Sequence, residues 1–412
     1  MKNSWSSGQY SVFRTLFGIY LFVHFAYLAF WAADIFSYAG MVGNAELSPL
    51  IIAFPNILRF FDSPAFVTIF SIAAAFASLL FAIGKWDKPA ALFMWFALAC
   101  FVGRNPLITN PAMPYVGWML LAHLFIIPAP YLSWAARGRA DPDNGWRMSN
   151  GIFLAGWIIL ALTYSYSGYT KLLSPSWVAG ENIEYVLNNP LARDWFLRDI
   201  FLMVPEILLK CLTWFILVIE LLFAPLALIK RLRPWLWSGM LFVQFGFAFL
   251  LNFPDLTIAM LLFHLFTFNP AWLPPRSLKG TVIYFDGTCA LCHGTVRFML
   301  AEEARGELVF SALQDRKLEA AIGEGSVENL GDTVVVRTAD ERILIEAEGI
   351  IYLLCHLGGL WRLLSWLMRA MPKPVRRTCY HFIGNRRYRI FGKKDDFCPI
   401  IPSHLRERFI KA

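Results

Sequence analysis

Thr281-Val-Ile-Tyr-Phe-Asp-Gly-Thr-Cys-Ala-Leu-Cys-His293 sets a CxxC pair where a short β-branched and aromatic run gives way to a helical pattern. A strand of this type, an Asp-Gly turn and a helix opening on cysteine is the entry to a thioredoxin-like α/β fold. The arrangement also carries chemistry. A thiol at a helix N-terminus meets the positive end of the macrodipole and unpaired backbone N–H groups, which favour thiolate over thiol. Cys289 is therefore the expected nucleophile. Cys292, one turn further on, is placed to attack a mixed disulfide and release the partner. Asp286 either assists proton transfer at the thiol or caps the turn into the helix, and the cap is the simpler role.

Downstream of this motif the pattern alternates. Val282 to Phe285 reads as a strand, Cys289 to Ala304 as a helix, Leu308 to Ser311 as a strand and Lys317 to Ile322 as a helix. Thr333 to Arg337 and Arg342 to Glu346 read as a hairpin across Thr338-Ala-Asp-Glu341. Gly349 to Met371 is apolar but interrupted by His356, Gly358, Gly359, Arg362 and Arg369, and an amphipathic helix accommodates those charges better than a membrane span does. Residues 362–394 hold ten Lys or Arg and no acid, a composition suited to anionic lipid headgroups beside a membrane. No nucleic-acid-binding motif accompanies these bases, and a nucleic-acid partner is not expected.

Upstream, the chain has a different composition. The whole is 58% hydrophobic and only 16% charged, with 16 Trp and 37 Phe, too apolar for an ordinary soluble protein. The apolar residues concentrate before about residue 272 in eight segments, 12–33, 65–84, 89–103, 112–129, 150–170, 206–229, 235–252 and 255–268. The expected architecture is a polytopic α-helical membrane domain over 1–275, of about eight spans, followed by an α/β thioredoxin-like domain over 276–412. Asn269-Pro-Ala-Trp-Leu-Pro-Pro275, with three prolines and an interfacial Trp, marks the exit. The first segment contains Arg14 and lacks a small-residue cleavage site, so it reads as a retained span.

Lys85 and Lys88, then Arg137, Arg139 and Arg147, then Lys230, Arg231 and Arg233, then Arg276 and Lys279 fall on alternate connections, whereas 34–64 and 171–205 are richer in acids. The positive-inside rule then predicts a multi-pass protein of the cell membrane with both termini and the CxxC pair in the cytoplasm.

With these residues in view, the C-terminal part strongly resembles the DCC family of thiol-disulfide oxidoreductases, named for an Asp-x-x-Cys-x-x-Cys core, here Asp286-Gly-Thr-Cys289-Ala-Leu-Cys292. The likeness runs from about Thr281 to Cys398 through Pro372-Lys-Pro374 and Gly384-Asn-Arg-Arg-Tyr-Arg-Ile-Phe-Gly392. It implies thiol-disulfide exchange with a thiol or disulfide partner that the sequence does not name. The upstream part resembles the HTTM domain shared with vitamin K-dependent gamma-carboxylase, through Arg104-Asn-Pro-Leu-Ile-Thr-Asn110 and through Tyr164-Ser-Tyr-Ser-Gly-Tyr-Thr-Lys171-Leu with Ser176-Trp-Val-Ala-Gly180. That resemblance puts Lys171 on the carboxylase's catalytic lysine. It implies a base acting on a peptide or lipid with a quinone as cofactor, or a non-enzymatic helper in peptide maturation or export.

Other readings weigh less. A Lys at the end of a span is commonly an anchor with its ammonium among the headgroups. Cys289-Ala-Leu-Cys-His293 has the spacing of c-type haem attachment, but a cytoplasmic motif and the DCC resemblance favour redox exchange. No compact zinc spacing is present, and no metal is expected. His24, His123, His264 and Glu220, all within apolar segments, are candidate polar sites, since ionisable groups at membrane depth tend to be functional.

Overall fold

The structure, a computed structural model, describes residues 3–286, 290–312, 334–391 and 403–410. These residues form two compact units. One comprises 13–126 and 149–268, the other 2–12, 127–148 and 269–412.

The first unit is helical throughout. Its elements are α1 (Ser7–Phe36, whose first turns belong to the other unit), α2 (Pro64–Ile83), α3 (Asp87–Arg104), α4 (Met113–Leu124), α5 (Asn150–Leu172), α6 (Pro175–Val178), α7 (Asn182–Leu187), α8 (Phe196–Leu202), α9 (Glu206–Leu221), α10 (Phe223–Ala227), α11 (Arg233–Leu250) and α12 (Pro254–Thr267). Each of the eight apolar segments is helical. Three of the helices, α1, α2 and α5, are long and apolar enough to cross a membrane, and the pair α8 and α9, bent by 106°, makes a fourth if it is one span. The others fall short for plain reasons. α4 and α12 have 12 and 14 residues against the roughly 20 that hydrocarbon requires, and α3 carries Asp87, Lys88 and Arg104. These three or four apolar helices suggest association with a membrane.

Local chemistry sets the helix ends. Ser63 accepts the Phe66 N–H at 3.3 Å with Pro64 in the first turn of α2, and Gly84 at φ 71° closes that helix in the left-handed conformation. Packing is closest where side chains vanish. A Cβ on Gly168 would lie 2.3 Å from the Leu221 backbone nitrogen, so α5 and the end of α9 meet backbone to backbone. There Ser165 Oγ donates to Leu221 O at 3.0 Å and accepts from Ala224 N at 2.8 Å, satisfying groups freed by the break between α9 and α10.

Several buried polar groups in this unit are tied down. Arg104, fully buried, donates to Ser37 O, Val42 O and Asp62 Oδ2 at 3.2, 2.7 and 3.1 Å. His264 Nδ1 donates to Met260 O at 3.0 Å, which leaves Nε2 to accept from the Tyr164 hydroxyl at 3.2 Å, and Gln244 Nε2 donates to that same hydroxyl at 3.0 Å. His123 Nε2 lies 3.3 Å from Asp87 Oδ2.

The second unit is α/β. Its sheet runs β2-β1-β3-β4, with β1 (Val282–Phe285), β2 (Val309–Ala312), β3 (Val335–Arg337) and β4 (Ile343–Ile345). β1 and β2 are parallel, with Val282 opposite Val309. β3 is antiparallel to β1 and to β4. α13 (Ala290–Glu302) joins β1 to β2, and α14 (Glu346–Leu357), α15 (Gly359–Ala370) and α16 (Lys373–Phe391) follow β4. The expected hairpin is present, turning through Thr338–Glu341. The expected helix over 317–322 lies outside the described residues. The apolar run from Gly349 is split into α14 and α15, each of 12 residues and too short to span. Its Arg362 is buried, with Nε donating to Cys355 O at 2.8 Å and Nη2 to Pro274 O at 2.7 Å, so the charge is spent on carbonyls at the end of α14 and in the segment before β1.

Two further segments complete this unit. The main core, around Ile283, Val296, Met299, Phe310, Leu353 and Trp361, takes in Val12 from the start of α1. Glu302, at the end of α13, accepts from Ser6 Oγ, from Gly8 N at 2.8 Å and from Trp361 Nε1 at 2.5 Å. Gln9 Oε1 accepts from Leu360 N at 3.0 Å and so caps the first turn of α15. From the 127–148 segment, Arg139 O accepts from Arg297 Nη2 on α13.

Candidate functional site

All four residues of β1 are buried, and this interior strand delivers Asp286, only 4% exposed, to its C-terminal end ahead of α13. Cys292 sits in the first turn of α13 and is 4% exposed, its sulfur turned into the core between β1 and α14. The inward direction follows from periodicity. Cys292, Val296, Met299 and Leu300 repeat at helical spacing on the face that meets the sheet. His293 is also buried, its ring edge-on to Phe285 with centroids 5.9 Å apart. Cys289 lies outside the described residues.

Cys292 also walls a cavity of about 270 Å³. The other walls come from Val334 beside β3, Ala347 and Ile350 of α14, Met368 of α15, and Cys379 and Tyr380 of α16. The lining is almost entirely apolar. Among the described lining residues the one cation is Arg376, whose Nη1 pairs with Glu348 at 3.0 Å. A space of this kind beside a sulfur receives an aliphatic or aromatic group far better than a charged one. Among the described residues, no group of three or more His, Cys, Asp or Glu is arranged to hold a metal ion.

The sequence profile of the DCC1-like thiol-disulfide oxidoreductase family matches residues 283–393, which take in β1 from Ile283 on, both cysteines of the CxxC sequence, the cavity walls and α13 to α16. The uncharacterized protein YuxK of Bacillus subtilis (strain 168) is 33% identical over 135 residues, covering 97% of that protein and 33% of this chain. The C-terminal part of the chain belongs to the DCC1-like thiol-disulfide oxidoreductase family. A chloroplastic DCC family protein of Arabidopsis thaliana is 28% identical over 120 residues, 68% of its length and 28% of this chain. No solved structure matches the chain. These likenesses concern the DCC1-like domain and leave the helical unit without a family.

Lys171 belongs to the helical unit, in the last turn of α5. Its ammonium donates to the Glu220 carboxylate near the end of α9 and to Ser167 Oγ at 2.9 Å, and it lies 4.8 Å over the Trp177 ring. The lysine is 16% exposed and Glu220 3%. The close approach at Gly168 explains the pairing, since it sets the end of α9 directly beside the last turn of α5. The Lys171–Glu220 pair was not legible from spacing, because the two residues are 49 positions apart.

Proposed function

We propose that this is an integral membrane thiol-disulfide oxidoreductase in which Cys289 attacks the partner and Cys292 resolves the mixed disulfide. The observation that carries the reading is the buried Cys292 in the first turn of α13, beside β1 and facing an apolar cavity, within a domain of the DCC1-like family. The sheet order β2-β1-β3-β4, with β1 parallel to β2 and the CxxC helix between them, supports a thioredoxin-like assignment. Reduced enzyme gives two electrons and two protons to a disulfide, and Cys289–Cys292 becomes the new disulfide. Asp286, buried at the end of β1, is proposed to take part as a proton acceptor or turn cap.

The same proposal places both termini in the cytoplasm, with about eight spans within residues 1–275. It is supported by the gathering of 2–12, 127–148 and 269–412 into one compact unit, since segments that pack together share a membrane face and Arg137, Arg139 and Arg147 mark that face as the basic one. Exposed Leu364, Trp366 and Leu367 beside Arg369 and Lys373 support contact of this region with anionic headgroups.

Lys171 enters as a second proposed site, as the base of a carboxylase-like enzyme. Its favourable feature is enclosure by Glu220, Ser167 and Trp177. Its donors are nevertheless committed as those of a paired cation, a poor match to a base facing a quinol, and no step of the proposed chemistry runs through a quinone.

The test uses the full chain. Reduced protein exposed to oxidised glutathione should lose two hydrogens on forming Cys289–Cys292, and Cys292→Ser should accumulate glutathione on Cys289. A Cys292→Ser protein that takes up no glutathione would sink the redox reading. Labelling of Cys289 by an impermeant maleimide only after vesicles are opened is expected from the topology, and labelling in intact cells would reverse it.

A further inference from the structure

The helical unit holds a second cavity, of about 670 Å³, between α1, the 105–112 turn and the start of α12. It is within the size range of small-molecule sites. Val23, Leu28, Ile35, Ile108, Phe253 and Ile258 supply apolar walls, and among them stand an imidazole and a carboxylate, His24 and Asp255.

Their geometry is directional. Asp255 lies in the first turn of α12. Its Oδ1 is 2.9 Å from His24 Nδ1 and accepts from the Tyr20 hydroxyl at 2.9 Å, while Oδ2 accepts from Asn110 Nδ2 at 2.6 Å. Three donors on one carboxylate fix its orientation and fill most of its roughly four acceptor positions. When Nδ1–H of a neutral His24 donates to Asp255 Oδ1, the lone pair falls on Nε2, as in other carboxylate-oriented histidines. His24 Nε2 makes no hydrogen bond among the described residues, and the side chain is 12% exposed in the cavity wall. The contrast with His264 is informative. That ring sits between helices with both nitrogens satisfied, by Met260 O and Tyr164, as a purely structural histidine does.

We propose that His24, positioned by Asp255, is the proton-accepting group of a binding site for a lipid-soluble molecule bearing one weakly acidic hydroxyl. The hydroxyl donates to His24 Nε2, and the apolar remainder occupies the walls around Val23, Ile108 and Ile258. An anionic ligand is disfavoured by the adjacent carboxylate of Asp255. A cation finds the same carboxylate already engaged by Tyr20, His24 and Asn110. A neutral hydroxyl on an apolar body meets neither obstacle and reaches the site through hydrocarbon.

The experiment compares 4-octylphenol with 4-octylanisole, its O-methyl ether, binding to the full chain in detergent micelles by calorimetry. The two differ in the single proton at issue. The phenol is expected to bind about tenfold more tightly than the ether, the scale of one hydrogen bond in an apolar site. His24→Phe should abolish that preference while leaving the ether's affinity within about twofold, and Asp255→Asn should reduce it. Equal binding of phenol and ether to the unsubstituted protein, absence of binding by both, or a preference that survives in whichever of the two variants folds would each overturn the proposal.

Discussion

Replacing Glu302 by leucine should release the N-terminal segment from the DCC1-like domain. The carboxylate is buried and accepts from the Ser6 hydroxyl, the Gly8 N–H and the Trp361 indole. Leucine nearly fills the volume but leaves those donors without an acceptor, each at a cost of about 1–3 kcal/mol, partly offset because a carboxyl group no longer has to be buried. A net loss of about 3 kcal/mol is a reasonable expectation, and at 1.4 kcal/mol per factor of ten it corresponds to roughly 100-fold faster opening. Hydrogen exchange measured by mass spectrometry reads this directly at Gly8 and at Leu360, whose amide bonds to Gln9 in the same segment. Unchanged exchange at both positions in Glu302→Leu would refute the reasoning.

Acidity adds a signed expectation. Burial pushes the Glu302 carboxyl up, against the opposing pull of Ser6, Trp361 and Gly8. The folded state then holds a proton at pH values where the unfolded chain has released it. The stabilisation from this group is accordingly full below the ordinary carboxyl value near 4.5 and is lost as pH rises through the raised one. Protection of Gly8 should therefore weaken with rising pH across that window, and in Glu302→Gln this dependence should vanish.

Breaking one partner of the Lys171–Glu220 pair leaves a charge in a buried place, so Lys171→Met should cost about 3–5 kcal/mol in thermal unfolding of the detergent-solubilised chain, and adding Glu220→Leu should restore most of it. A double variant no more stable than Lys171→Met would show that the pair is not what the lysine contributes. Gly168→Ala should force α5 and α9 apart, because the new methyl would lie 2.3 Å from a backbone nitrogen that cannot yield. A loss of about 1–3 kcal/mol is expected by the same melting measurement, and no loss would mean that the two helices pack less closely than described.

The parts of the fold that the sequence makes legible are those set by neighbours. Val282 to Phe285 and the hairpin strands are runs of β-branched and aromatic residues between turn formers, and they form strands within a residue or two of expectation. Cys289 to Ala304 was expected to be helical, and α13 covers Ala290–Glu302. Gly349 to Met371 was harder, because Arg362 in an apolar run signals exposure when only composition is considered. In three dimensions its guanidinium is turned inward to Cys355 O and Pro274 O, and Gly358 and Gly359, at φ 78° and 53°, cut the run in two. The contacts with no local signal are the distant ones. Ser6 and Glu302 are 296 positions apart, and His24 and Asp255 are 231. Periodicity shows which residues face inward, but it does not pair a buried donor with an acceptor on another element.

The burial of Cys292 constrains the order of events that the proposed chemistry can follow. Cys292 is only 4% exposed and packs in a core cluster with residues of β1 and α14, which disfavours direct attack on it by a folded partner. On the proposed function, the first covalent step with any large disulfide falls on Cys289. On the same proposal Cys292 attacks the mixed disulfide at the Cys289 sulfur and the partner's thiolate leaves, so the Cys289–Cys292 bond forms without the partner contacting Cys292. The apolar cavity beside Cys292 adds a distinction of size. Its apolar lining favours a small aliphatic or aromatic group beside Cys292 over a peptide chain, whose unpaired N–H and C=O groups would be costly there. Proteins and small dithiols, if both are partners, would meet the same nucleophile and differ in what occupies the space behind it.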